Sequence, residues 1–197
     1  MKFLSKFYVG IIYFFLYIPI AVLIFFSFND SKSRVLFTGF TTKWYEKLFT
    51  NDLIINALIN TLSVALIAGV FAVILGTGAA IGINAMNKKL KGVLLNISYL
   101  PIINPDIITG ISLMLLFILL KMELGFSTLI LAHITFNVPI VIFNVLPKLR
   151  QMDKNVYNAA LDLGCNPAQA FAKVVLPEIM PGIAAGFLLS VTYSFDD

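Results

Sequence analysis

The stretch that decides the fold is Asn158–Pro177, with the sequence NAALDLGCNPAQAFAKVVLP. It lies between two apolar segments and is itself too polar to cross a bilayer. Just before it, Asp153 suits the N-cap of a short helix, and Gly164 suits the position after that helix ends. Asn166-Pro167 then gives a second start, an N-cap followed by proline at the first helical position. The pattern predicts two short helices joined by a turn.

The first of these helices has an apolar face rich in small residues. The residues that recur on it at helical spacing are Val156, Tyr157, Ala160 and Leu163. An alanine-rich face gains little from burial in lipid, so we expect it to fit a groove of another protein. The alternative is an amphipathic loop that rests on lipid headgroups. The second helix is expected to end at Leu176-Pro177, with a further break at Pro181.

The composition of the whole chain is that of an integral membrane protein. Of its 197 residues, 59% are hydrophobic and 12% charged, whereas a soluble domain is roughly 45–50% apolar. Several stretches reach the ~20 apolar residues that cross a hydrocarbon core of about 30 Å. We expect a single all-α transmembrane domain with a polar loop at 147–180 and spans at 8–28, 57–83, 93–120, 126–146 and 181–197. Pro101 and Pro105 predict a kink or break in the third span.

The basic residues indicate how the chain is oriented. With the N-terminus in the cytosol, the inner segments hold nine of the 14 Lys and Arg residues and the outer segments hold five. This bias predicts a cytosolic N-terminus and a cytosolic 147–180 loop. Because the bases flank apolar spans, the net charge of +4 indicates topology and not a nucleic-acid partner. The single cysteine, Cys165, excludes an intrachain disulfide, and no metal-ligand spacing is present.

The polar loop resembles the EAA segment of binding-protein-dependent ABC importer permeases, the MetI-like superfamily. That family has E-A-A, three residues, G, nine residues, and I-x-L-P. Asn158-Ala159-Ala160, Gly164 and Val174-Val175-Leu176-Pro177 stand here at the same spacing. Asn158 replaces the usual glutamate and therefore lacks a negative charge that could pair with a basic group on the ATPase. Val174 replaces isoleucine.

Other segments extend the resemblance over nearly the whole chain, to the permeases of spermidine and putrescine importers. They include YIPIAVLIFFSFN, GFTTKWYEKLF, PDIITGISLMLLF and LGFSTLILAHITFNVPIVIFNV. The resemblance implies the helical fold of type I ABC importer permeases and a place in the bacterial inner membrane. Six spans are usual in that family, so we expect the chain to hold about five of six, as a fragment or a natural truncation.

The resemblance also implies partners. A second permease subunit would complete the translocation path, and an extracytoplasmic polyamine-binding protein would deliver the cargo. A cytosolic ABC ATPase dimer would bind ATP-Mg and engage the loop. This chain has no G-x-x-x-x-G-K-[ST] motif, so we expect a transporter subunit without cofactor and not an enzyme. The residues expected to contact the ATPase are Asn158, Ala159, Ala160, Asp162, Leu163, Gly164, Leu176 and Pro177.

Acidic residues in apolar segments are candidates for a cation pathway. Asp106 follows Pro105 inside the third apolar region, where a carboxylate facing lipid is unfavourable. It either attracts the cationic cargo or bonds to backbone amides that the break frees. Asp196 and Asp197 are weaker candidates, and Tyr193 either lines the same path or packs.

His133 is alone in the fourth span, which favours a hydrogen-bonded packing residue over a proton relay.

Besides polyamine import, three alternatives remain: a structural or regulatory membrane subunit that does not transport, a permease for another small cationic solute, and a secondary transporter. The loop spacing argues against the last of these.

Overall fold

The computed structural model describes residues 2–33 and 35–196, with side chains from residue 6 onward except that of Lys154. The helices of this part of the chain are α1 Lys2–Ser27, α2 Lys43–Thr50, α3 Asp52–Ala85, α4 Lys88–Ile103, α5 Asp106–Leu119, α6 Phe126–Gln151, α7 Lys154–Asp162, α8 Pro167–Ala170 and α9 Leu176–Asp196. A π-helical turn, Phe171–Val175, joins α8 to α9. In the described residues the β contacts are limited to a bridge between Asn29 and Phe40. The expected all-α class is confirmed.

Four helical segments are long and apolar enough to cross a membrane. They are residues Lys6–Ser27 of α1, the whole of α3, the whole of α6, and the continuous segment Pro167–Asp196. The pair α4 and α5 passes the same test when taken together, so the described residues hold up to five spans. α6 continues through Pro147 to Gln151, which makes it longer at this end than the expected 126–146.

The break predicted at Pro101 and Pro105 is confirmed. α4 ends at Ile103, and α5 begins at Asp106 after a bend of 107°. Asn104 between them is extended, with φ −71° and ψ 143°, as expected for a residue that precedes proline. The bend places Asp106 at the start of a new helix.

The break expected at Pro177 and Pro181 is wrong, because the helix continues from Pro167 to Asp196. Pro177 is the second residue of α9, and Leu176 just before it follows the π-helical turn and donates its amide to the Phe171 carbonyl. This wider turn changes the hydrogen-bond register where Pro177 has no N–H to give. The last span therefore starts well before Pro181.

The chain divides into two compact units, Met1–Leu58 and Ile59–Asp197. In the first unit, the loop after α1 is ordered around the buried side chain of Asn29. Its Nδ2 donates to the Ser33 and Leu36 carbonyls at 2.9 and 2.7 Å, and its Oδ1 accepts from the Thr38 amide at 2.8 Å. Trp44 Nε1 donates to the Asn29 carbonyl at 2.7 Å.

In the second unit, small residues let α3, α6 and α9 approach closely. Its core includes Ala72, Ala80, Val141, Val145, Leu149 and Ile179. A Cβ atom on Gly76 would lie 2.6 Å from Val141 Cβ, and one on Gly182 would lie 2.7 Å from the Asn144 carbonyl oxygen. Glycine is thus required where α6 packs against each neighbour. Tyr157 and Phe171, on the first candidate region described below, pack against this core.

Candidate functional site

The first candidate region is the loop of α7 and α8, and its first helix is capped as predicted. Asp153 Oδ1 accepts from the Asn155 amide at 2.9 Å. Gly164 follows α7 with φ +88°, a left-handed conformation that favours glycine. The Cys165 amide donates to the Ala160 carbonyl at 3.0 Å, which satisfies one of the last carbonyls of the helix.

The second helix start, at Asn166-Pro167, is also confirmed. Asn166 Oδ1 accepts from the Gln169 amide at 2.8 Å, and Gln169 Oε1 accepts from the Asn166 amide at 3.1 Å. The two side chains form a reciprocal capping box with proline at the first position of α8. The direction of the chain after the turn is therefore fixed by local hydrogen bonds.

The predicted apolar face of α7 is divided between the interior and the surface. Tyr157 packs against the buried core and Ala160 is half-buried. Val156 is 52% exposed and Leu163 is 87% exposed. Leu163 is the C-cap residue at the end of α7. It leaves an apolar side chain at the surface.

The other loop residues predicted to contact a partner are mostly accessible. Those that are exposed are Asn158, Ala159, Asp162, Gly164 and Pro177, whereas Leu176 is half-buried. Phe171, in the π-helical turn, packs against the same core as Tyr157. The loop thus presents small, apolar and polar groups outward, while its large aromatic side chains hold it to the core.

The second candidate region is a cavity of about 740 Å³ between α5 and α6. Its wall is mainly apolar, with Leu113, Phe117 and Phe136 among its residues. The polar residues that line it are Asp106, Thr109, Thr128 and His133. The structure therefore places Asp106 in the wall of a cavity.

The carboxylate of Asp106 belongs to the first turn of α5. An acidic group in that position is favoured by the partial positive charge of the helix N-terminus. Within the described residues it has no hydrogen-bond or ion-pair partner. No hydrogen bond from a backbone amide to this carboxylate is present among the described residues.

The remaining pathway candidates lie elsewhere. Tyr193 is 47% exposed and Asp196 is exposed, both in the last two turns of α9. Neither is among the residues that line the α5/α6 cavity. Asp197 lies outside the described residues.

Sequence reasoning missed a polar contact between α6 and α9. Asn137 Nδ2 donates to Ser194 Oγ at 2.7 Å, and both residues are buried. Ser190, one turn before Ser194, is fully buried as well. The available signal was an amide in the middle of an apolar span, since polar residues at membrane depth usually face the protein interior.

His133 matches its expectation in part. Its ring packs against that of Phe136, with centroids 4.9 Å apart. However, its Nδ1 is buried and has no hydrogen-bond partner among the described residues. The expected packing role is present, but the expected hydrogen bond is not. Among the side chains described, no group of three His, Cys, Asp or Glu residues could hold a metal ion.

These features define a helical membrane protein with a structured polar loop and a cavity that carries an acid. Residues 72–197 match the family described as binding-protein-dependent transport system inner membrane component. The chain belongs to this family, so it is a multi-pass membrane transport component of the permease type and not an enzyme.

Similar curated proteins carry related names. The spermidine/putrescine transport system permease protein PotC of Escherichia coli strain K12 is 39% identical over 186 residues, which cover 94% of this chain and 70% of that protein. PotC of Haemophilus influenzae is 35% identical over 195 residues, which cover 99% of this chain and 76% of that protein. The putrescine transport system permease protein PotI of E. coli K12 is 38% identical over 191 residues, which cover 93% of this chain and 68% of that protein.

Proposed function

We propose that this chain is a permease subunit of an ATP-driven importer for polyamines such as spermidine and putrescine. The observation that carries the proposal is the 39% identity to PotC over 94% of the chain. The cavity supports it independently, since it combines an acidic group with apolar walls. A linear polyamine has the complementary chemistry, with cationic amines separated by methylene groups.

Asp106 is the proposed first contact for the cationic cargo. Its carboxylate has no ion-pair partner among the described residues, and a lone carboxylate at membrane depth costs about 2.5–3.5 kcal/mol on insertion scales. A bound ammonium group would offset part of this cost. Tyr193, Asp196 and Asp197 are proposed for a later part of the path, which a second permease subunit completes.

The 147–180 loop is proposed to couple transport to ATP hydrolysis. In this scheme the loop lies in the cytosol, as does the N-terminus, and seats in a groove of an ABC ATPase dimer that binds ATP-Mg. Exposed Leu163 and Val156 supply apolar contact area, while the capped turn keeps the shape of the loop rigid. Motion of the ATPase would reach α9 through the π-helical turn, and the permease pair would alternate between inward- and outward-facing states.

The experiment that tests this proposal is uptake of labelled spermidine and putrescine. A bacterial strain without its own polyamine importer is supplied with this chain, a second permease, the ATPase and the extracytoplasmic binding protein. We expect ATP-dependent uptake that requires this chain. Absence of uptake of either amine by a correctly assembled complex would contradict the proposal.

Asp106→Asn in the same assay tests the pathway. The substitution removes the charge but keeps the size of the side chain, so we expect uptake to fall roughly tenfold or more, as for the loss of a charge-assisted hydrogen bond of about 1.5–3 kcal/mol. Asp52→Asn is the matched control for this assay, since it removes an exposed carboxylate from the first turn of α3 that is not among the cavity-lining residues. Equal uptake by Asp106→Asn and wild type would remove Asp106 from the path.

One observation favours a second candidate function. Asn158, where the family has glutamate, is exposed and uncharged. A structural or regulatory subunit that keeps the docking loop without driving transport would tolerate this change. Such a subunit would assemble with the ATPase but would give no uptake in the assay above.

A further inference from the structure

We propose that His133 and Thr109 form an amine-recognition position in the wall of the α5/α6 cavity, in addition to Asp106. Each supplies an uncharged hydrogen-bonding atom to an N–H group of a linear aliphatic amine. The inference rests on the proposed function and deepens it, because it names residues that set how the cargo is recognised.

Two unpartnered polar atoms carry the proposal. His133 is 6% exposed and Thr109 is half-buried, and both line the cavity. His133 Nδ1 and Thr109 Oγ1 are buried, and neither has a hydrogen-bond partner within the described residues. Buried polar atoms nearly always find a partner, so two unsatisfied atoms from two helices at one cavity call for an explanation.

Three other hydroxyl groups on the same two helices are satisfied. Ser112 and Thr135 donate to the carbonyls of Ile108 and Leu131 at 2.7 and 2.8 Å. Thr128, which also lines the cavity, donates to the Gly125 carbonyl and accepts from the Gly125 amide, both at 2.9 Å. Thr109 therefore differs from these residues, because its hydroxyl makes no hydrogen bond to a carbonyl of its own helix. Any helical threonine can make such a bond.

The chemistry of the cavity indicates an amine ligand. When one ammonium group of a linear amine pairs with Asp106, its methylene groups meet apolar walls such as Leu113 and Phe117. Its next N–H group then needs an acceptor further along. An imidazole nitrogen and a hydroxyl oxygen can accept without placing a second charge at membrane depth.

Recognition includes a local rearrangement. Both atoms are shielded from solvent in this conformation, so the two side chains must rotate about χ1 or χ2 to present them to a ligand. The gain of a hydrogen bond by each unsatisfied atom favours the rotated, ligand-bound arrangement. A ring that only packs on Phe136 would be replaced without loss by phenylalanine, which separates the two roles of His133.

The test uses the complete importer in proteoliposomes, with saturating amounts of amine-loaded binding protein. The readout is the amount of labelled putrescine or spermidine delivered per ATP hydrolysed, which does not depend on the fraction of active complexes. The variants are His133→Phe, which keeps an aromatic ring, and Thr109→Val, which keeps the shape. Thr135→Val is the matched control on α6, and His133→Gln restores a hydrogen-bonding side chain.

We expect His133→Phe and Thr109→Val each to deliver about fivefold less amine per ATP, as for the loss of one hydrogen bond. Thr135→Val and His133→Gln should stay close to wild type. A wild-type ratio in Thr109→Val, or in a correctly assembled His133→Phe, would overturn the proposal. If His133→Phe fails to assemble, Thr109→Val decides alone. Absence of amine delivery by wild type would instead refute the proposed function itself.

Discussion

Gly76 and Gly78, both on α3, differ in whether the surroundings leave room for the Cβ atom of a larger residue. A Cβ atom on Gly76 would lie 2.6 Å from Val141 Cβ and 3.0 Å from the Val138 carbonyl oxygen, whereas one on Gly78 meets nothing within 4 Å. Both residues look alike in the sequence. Only the position of α6 distinguishes them.

Gly76→Ala should therefore destabilise the protein by about 1–3 kcal/mol, as for overpacking of a core. Gly78→Ala should stabilise it by up to about 1 kcal/mol, because alanine favours helix over glycine. Thermal unfolding in detergent checks the order of the two melting temperatures. A lower melting temperature for Gly78→Ala than for Gly76→Ala would contradict the packing of α3 on α6.

Asn158 carries a second prediction at the residue scale. It is exposed, so glutamate at this position adds a charge without disturbing the core. If the loop docks on a basic group of the ATPase, Asn158→Glu should raise ATP-driven uptake about twofold to fivefold, the range expected for an exposed ion pair. Asn158→Gln is the control of equal length. Equal uptake by the two variants would contradict a charge pair at this position.

The loop elements illustrate what local sequence signals determine. The caps at Asp153 and Asn166 and the glycine at 164 could be predicted because each acts through hydrogen bonds or dihedral angles within a few residues. The continuation of the helix through Pro177 could not. It depends on a π-helical turn, which has no sequence signature of its own and is stabilised by packing of Phe171 and Val175 on the core.

Leu163 carries the prediction at the scale of this element. It is 87% exposed at the end of α7, and burial of a leucine contributes about 1.5–3 kcal/mol. Leu163→Ala should thus weaken association of the permease with the ATPase roughly tenfold, as measured by co-purification or titration in detergent. The control is Leu188→Ala, since Leu188 is also exposed but lies on α9, and this substitution should have no effect on the association. Unchanged association of Leu163→Ala would exclude the proposed docking surface.

At the scale of the whole molecule, orientation decides whether the loop can meet a cytosolic ATPase. Because Cys165 is the only cysteine, a reporter is simple to build: Leu163→Cys in a Cys165→Ser background. A membrane-impermeant maleimide should label it in inverted membrane vesicles and leave it unlabelled in intact spheroplasts. The reverse result would place the loop outside the cell and refute the coupling mechanism.

The sequence by itself determined the membrane class, the all-α fold, the bend at Pro101–Asp106 and the capped loop. These follow from hydropathy over whole spans and from interactions within a few residues, which the chain order already specifies. Tertiary structure alone decided that Asp106, Thr109 and His133 line one cavity, that Asn137 bonds to Ser194, and which glycines are needed for close packing. Those facts depend on how α3, α5 and α9 lie against α6. The hydrophobic pattern of each helix does not encode that arrangement, because nearly every face of these helices is apolar.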